Sequence, residues 1–133
     1  MKTSPQRSAL MKRVGRKDTA PELAVRSFMH RRGLRFRLHV RELPGTPDIV
    51  LPRHKTVVFV NGCFWHGHSC VHGAARAKTN RAFWDDKIAE NRARDQRKET
   101  ALRTLGWCIE RVWECQCHRE PLLDLLCKRI RLR

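Results

Sequence analysis

At 133 residues the chain has the length of one domain with room for a real core, and its 29 Lys and Arg against 13 Asp and Glu give a formal net charge of +16. That excess asks for a polyanionic partner: nucleic acid first, an acidic membrane surface second, because neither a clean basic amphipathic helix nor a lipidation motif is visible. No apolar run approaches the length of a transmembrane helix, and the opening Met1-Lys2-Thr3-Ser4-Pro5-Gln6-Arg7 lacks the apolar stretch of a secretory signal.

The expectation is a cytoplasmic, intracellular protein, at the nucleoid if DNA is its partner. Its six cysteines are then reduced or metal-bound rather than paired as disulfides. The basic residues are uneven. Eleven of the first forty residues are Lys or Arg, the stretch 41–75 holds three, and the remainder follow from Arg76. A neutral centre between basic flanks suits a buried sheet bordered by DNA-contacting segments, with many single charges serving only as solvated surface.

Residues 1–17 read as a flexible basic arm, and 18–133 as one domain. Thr19-Ala20-Pro21-Glu22 is a helix start, with Thr as N-cap, Pro early in the first turn and Glu as the far half of a capping box. The helix is predicted to run to about residue 32 and stop at Gly33, with Leu23, Ala24, Phe28 and Met29 on its inner stripe. Residues 34–40 alternate apolar and polar, as a half-buried strand does. Leu43-Pro44-Gly45-Thr46-Pro47 is a turn-rich connection. A second strand is predicted over 48–51 and a third over 56–60, the latter apolar enough to be buried on both faces. A long helix over 83–105 carries Trp84, Ile88 and Leu102 inward and stops at Gly106. A fourth strand covers 107–113. A closing helix over 121–131 carries Leu122, Leu125, Leu126 and Ile130. The fold class that follows is α/β, a mixed sheet sandwiched between helices.

Chemistry concentrates in three places. The first is Cys63-Phe64-Trp65-His66-Gly67-His68-Ser69-Cys70, directly after the third strand. Thiols and imidazoles at this spacing suit a tetrahedral Zn²⁺, and four such ligands with none left for water make the metal structural. The preferred set is Cys63, His68, Cys70 and Cys115, with Cys117 as the alternative distant ligand and free buried thiols as the bland reading.

The second is Asp48, a carboxylate opening a strand in an apolar region. It must be paired or bind a cation, and at a strand end it can hold Mg²⁺ against a scissile phosphate. Capping a turn after Pro47 is the plain alternative. His66, if it is not a zinc ligand, is a candidate general base. Glu22 and Asp95 are candidate outer carboxylates, or simply a capping residue and a salt-bridge partner. The third is Phe64-Trp65, either core or an aromatic wedge that unstacks DNA.

The chain resembles the very short patch repair (Vsr) endonucleases, which have the restriction-endonuclease-like fold. The resemblance rests on Arg-Ser-x-x-Met at 7–11, Thr-Ala-x-Glu at 19–22, Leu-Pro-Gly-x-Pro-Asp at 43–48 and Gly-Cys-Phe-Trp-His-x-His-x-Cys at 62–70. It continues through Phe-Trp at 83–84, Lys-Ile at 87–88, Asn91, Arg94-Asp95, Leu-Gly-Trp at 105–107 and Val-Trp-Glu-Cys at 112–115.

The resemblance implies a Mg²⁺-dependent nick in one strand of duplex DNA, 5′ to the T of a T·G mismatch left by deamination of 5-methylcytosine. It implies that Asp48 and the main-chain carbonyl of Val60 bind Mg²⁺, and that His66 is the catalytic histidine. Glu22 and Asp95 would hold metal-bound water, and Cys63, His68, Cys70 and Cys115 would bind structural zinc. Phe64, Trp65 and Met11 would wedge into DNA beside the mismatch. The family's well-studied form has Thr-His where this chain has Val60-Asn61, so Asn61 would orient water by hydrogen bonds alone. Mismatch-repair proteins are possible partners and a monomer is the expected state. The rival readings are a restriction-like nuclease with another duplex target and a non-catalytic, zinc-stabilised DNA-binding module.

Overall fold

The computed structural model describes residues 19–63 and 81–133. The elements run α1 (Ala20–Arg31), β1 (Arg37–Leu38), β2 (Ile49–Leu51), β3 (Thr56–Asn61), α2 (Arg81–Thr104), β4 (Cys108–Trp113) and α3 (Glu120–Arg131), with short 3₁₀ turns at Pro52–His54 and Glu114–Gln116. The strands form one mixed sheet in the order β1-β2-β3-β4. β1 pairs antiparallel with β2, β2 antiparallel with β3, and β3 parallel with β4. The predicted α/β class and element order both hold.

β3 explains why the sheet needs cover on both sides. Val57, Val58 and Phe59 are all buried, though alternate strand residues face opposite ways. On one face Ile49, Leu51, Val58 and Val112 pack against Val25, Phe28 and Met29 of α1 and Leu123, Leu126 and Ile130 of α3. On the other, Val50, Val57 and Phe59 pack against Leu102 of α2. The β3–α2–β4 connection is the crossover that a parallel strand pair requires. Gly106 at φ +91° ends α2, and the Trp107 N–H returns to the Leu102 carbonyl at 3.1 Å.

Three expectations need correction. The strand predicted over 34–40 shortens to Arg37–Leu38, because His39 enters the left-handed region at φ +48° and breaks the period of two. On α1 the buried stripe is Glu22, Val25, Phe28 and Met29, whereas Leu23 is 47% exposed. On α3 it is Leu123, Leu126, Cys127 and Ile130, and Leu125 is 52% exposed. In both helices neighbouring apolar residues left the phase of the stripe open. The predicted N-terminal arm lies outside the described residues.

Candidate active site

Thr19 caps α1 as expected, its hydroxyl accepting from the Glu22 N–H at 3.4 Å. Glu22 does not complete a capping box. Its phase on the helix turns it inward, and it is 2% exposed. There its Oε1 meets His39 Nε2 at 2.8 Å, with Arg26 Nη1 one helical turn on at 3.5 Å. A buried carboxylate is costly unless it is paired, and these two groups pair it.

Asp48 stands immediately before β2 and is half-buried. Its Oδ2 accepts the Val60 N–H at 2.8 Å. The β2–β3 ladder ends at Ile49↔Val58, so this carboxylate takes a main-chain donor two residues beyond the last pair on β3. On the other side of β2, the register Leu38↔Ile49 carried one rung further sets His39 opposite Asp48. The His39 N–H donates to the Asp48 carbonyl at 3.2 Å. One ligand atom from each of Glu22, His39 and Asp48 lies within 4.8 Å of the others. α1, the end of β1 and the start of β2 thus converge at one end of the sheet, beside β3.

Two carboxylates and an imidazole at this spacing can hold a divalent cation. The hard oxygens of Glu22 and Asp48 suit Mg²⁺, which keeps several waters and takes one or two carboxylates. His39 is the residue that sequence reasoning missed. Read as part of an alternating strand, it belonged on the solvent face.

The other expected site residues are placed as follows. Asn61 ends β3, buried, opposite Trp113 of β4. Asp95 lies on α2, half-buried, and its charge acts on Arg111 of β4. Burial pulls the Arg111 guanidinium below its usual value while Asp95 pushes back. Arg111 also pairs with Glu99 of α2 and lies over the Trp113 ring at 6.0 Å. Asp95 is not part of the Glu22–His39–Asp48 group.

Cys63 is buried, and its N–H donates to Glu114 Oε1 at 3.3 Å. Cys63 follows the end of β3 by two residues, and Cys115 follows the end of the neighbouring parallel strand β4 by two. Cys117 packs instead in the apolar core with Phe28 and Leu123, and burial pushes its thiol up. Met11, Phe64, Trp65, His66, His68 and Cys70 lie outside the described residues.

The surface near the start of α2 is basic and aromatic. Phe83 is 57% exposed and meets Trp84 edge-on at 5.3 Å. Arg81, Lys87, Arg92, Arg94 and Arg97 are exposed along the helix. No helix among the described residues is long and apolar enough to cross a membrane.

Comparison with known proteins gives the family. The family model for the DNA mismatch endonuclease Vsr matches residues 1–72. The type II nicking enzyme V.XorIIP of Xanthomonas oryzae pv. oryzae is 54% identical over 114 residues, covering 85% of this chain and 83% of the relative. The type II nicking enzyme V.NmeAIP of Neisseria meningitidis serogroup A is 45% identical over 120 residues, covering 90% and 85%. The DNA mismatch endonuclease Vsr of Escherichia coli K12 is 41% identical over 119 residues, covering 89% and 76%. The chain therefore belongs to the DNA mismatch endonuclease Vsr family, and it is an endonuclease, a hydrolase that acts on DNA.

Proposed function

We propose that this endonuclease is a Mg²⁺-dependent nicking enzyme that cuts one strand of duplex DNA 5′ to the T of a T·G mismatch, acting as a monomer. The observation that carries the reading is the convergence of Glu22 and Asp48 at the sheet end, in a chain of this family.

Asp48 and the Val60 carbonyl are the proposed metal ligands. In an extended strand the N–H and C=O of one residue leave on the same side, so the Val60 N–H bond to Asp48 supports a carbonyl directed toward the same place. Bound there, Mg²⁺ supplies stabilisation of charge on the phosphoryl oxygens and the departing 3′ oxygen. Glu22, and Asp95 from α2, are proposed to hold ordered water by accepting its protons. The Asn61 amide, buried at the end of β3, would orient water by hydrogen bonds. His66 would take a proton from the attacking water. The water oxygen then bonds to phosphorus, the P–O3′ bond breaks, and the 3′ oxygen takes a proton from solvent. The products are a 5′-phosphate and a 3′-hydroxyl. Phe64, Trp65 and Met11 are proposed as wedges, which enter most easily where a mismatched pair weakens the stack.

Cys63, His68, Cys70 and Cys115 are proposed to hold a structural Zn²⁺. The donor chemistry suits zinc, and the positions of Cys63 and Cys115 just past the ends of the paired strands β3 and β4, with Cys117 in the apolar core, support Cys115 over Cys117. Zinc content of Cys115→Ser and Cys117→Ser variants tests this choice: loss of metal is expected from the first and not from the second.

The activity is tested with end-labelled duplexes carrying each mismatch in several flanking contexts, in Mg²⁺ or in EDTA. The expected result is a single-strand nick 5′ to the T of T·G, abolished by EDTA. Cleavage of fully paired duplex would make it a restriction-like nuclease. Tight, salt-sensitive binding with no cleavage would leave a DNA-binding module.

A further inference from the structure

Resting on the active-site reading above, we propose that His39 is a positioning residue for strand cleavage: its imidazole holds the Glu22 carboxylate in place beside Asp48.

His39 touches both members of the carboxylate pair by different means. Its main-chain N–H donates to the Asp48 carbonyl at 3.2 Å, which fixes the first rung beyond the β1–β2 ladder. Its Nε2 lies 2.8 Å from Glu22 Oε1. The two groups are in close polar contact, with the ring nitrogen off the line of an N–H···O hydrogen bond to that oxygen.

The backbone conformation makes both contacts possible. At φ +48° His39 has left the strand. In an extended conformation its side chain would continue the alternation of a half-exposed strand, whereas the left-handed turn accompanies a ring that reaches α1. His is among the few side chains enriched in that region, and such conformations persist where surrounding contacts over-determine them. Here those contacts are with Glu22 and with Asp48.

Glu22 needs the restraint. Its side chain is 3% exposed, and Arg26, on the same helix, lies at 3.5 Å. Arg26 can compensate the charge but comes from the same side as Glu22 itself. His39 comes from across the cluster, and it links the carboxylate of α1 to the strand that carries Asp48. Partners of this kind, which orient a group near a metal without binding it, typically alter metal affinity or activity by about 10- to 100-fold when removed.

The experiment uses the full chain with His39→Ala, His39→Gln, Glu22→Gln and the double variant His39→Ala/Glu22→Gln, with Asp48→Ala as the control. Three quantities are read: the single-turnover cleavage rate at saturating T·G duplex, the duplex Kd, and the affinity for Mn²⁺ from water-proton relaxation. Thermal melting verifies that each variant is folded.

Expected for His39→Ala is a cleavage rate and Mn²⁺ affinity each reduced about 10- to 100-fold, with duplex Kd little changed. His39→Gln should recover most of both, since its amide N–H donates at similar reach. The double variant should be no worse than Glu22→Gln, because the two groups act as one unit. Unchanged Mn²⁺ affinity in His39→Ala, a His39→Gln variant as impaired as His39→Ala, or fully additive losses would each overturn the proposal. Retained cleavage by Asp48→Ala would instead overturn the active-site reading. If wild type cleaves no duplex, the Mn²⁺ arm still decides on His39.

Discussion

α1 and α3 are both helices of 12 residues, and both pack on the same face of the sheet. They are tied to each other where Arg32 meets Asp124 at 3.2 Å. Their buried stripes differ in kind. α3 buries Leu123, Leu126, Cys127 and Ile130, which serve packing. α1 buries Val25, Phe28 and Met29 in the same core, but the first turn of its stripe is Glu22. A charge in that position costs stability unless it is matched, and its partners are the one-turn neighbour Arg26 and His39 from beyond β1. One helix is an anchor, and the other is an anchor whose leading end buries the carboxylate proposed to serve the chemistry.

The contrast can be broken at its structural end first. Ile130→Ala removes a fully buried side chain from α3 and should destabilise the fold by about 2–5 kcal/mol. Denaturant unfolding would show this, while the cleavage rate per folded molecule should stay near wild type at low temperature. At the chemical end, Glu22→Gln keeps volume and hydrogen bonding but removes charge. Its expected signature is the reverse: cleavage falls about 10- to 100-fold with little loss in melting temperature. A large loss of stability with normal cleavage would make Glu22 merely structural.

The helix starts offer a smaller contrast. Thr19→Ala removes the cap of α1 and should cost about 1 kcal/mol. At the start of α3, Arg119 makes no side-chain capping bond among the described residues, so Arg119→Ser should gain up to a similar amount by the same assay.

The smallest effect concerns pH and the far end of α3. Burial works to raise the Glu110 carboxyl, but hydrogen bonds and charge from Arg129 and Arg133 outweigh it and hold the group below its usual 4.5. Because the folded value is the lower one, the contribution is present above pH 4.5 and is lost as pH falls through the folded value. The melting-temperature gap between wild type and Glu110→Gln should therefore close on acidification below that pH. A gap that widened would reverse the sign of the argument.

Much of this was legible in the residues. Thr19, Gly33 and Gly106 marked helix ends, and the apolar run of β3 marked a central strand. Asp48 stood out because a carboxylate opening an apolar strand needs a reason. His39 was hidden because Leu34 to Val40 alternates as a strand would, and nothing local announces that the period fails at residue 39. The phase of α1 was equally hard to read: Leu23 and Val25 are both plausible core residues, and choosing Leu23 turns Glu22 outward. Pairing with Arg26 and His39 makes an inward Glu22 tolerable, and His39 is remote in sequence.

The cluster around Asp48 is proposed to cut DNA. This is tested most directly by single-turnover cleavage of an end-labelled T·G duplex with wild type and Asp48→Asn, each shown by gel shift to bind the duplex. The expected result is a Mg²⁺-dependent nick 5′ to the mismatched T with wild type, and binding without a nick with Asp48→Asn. A nick of comparable rate from Asp48→Asn would place the chemistry elsewhere.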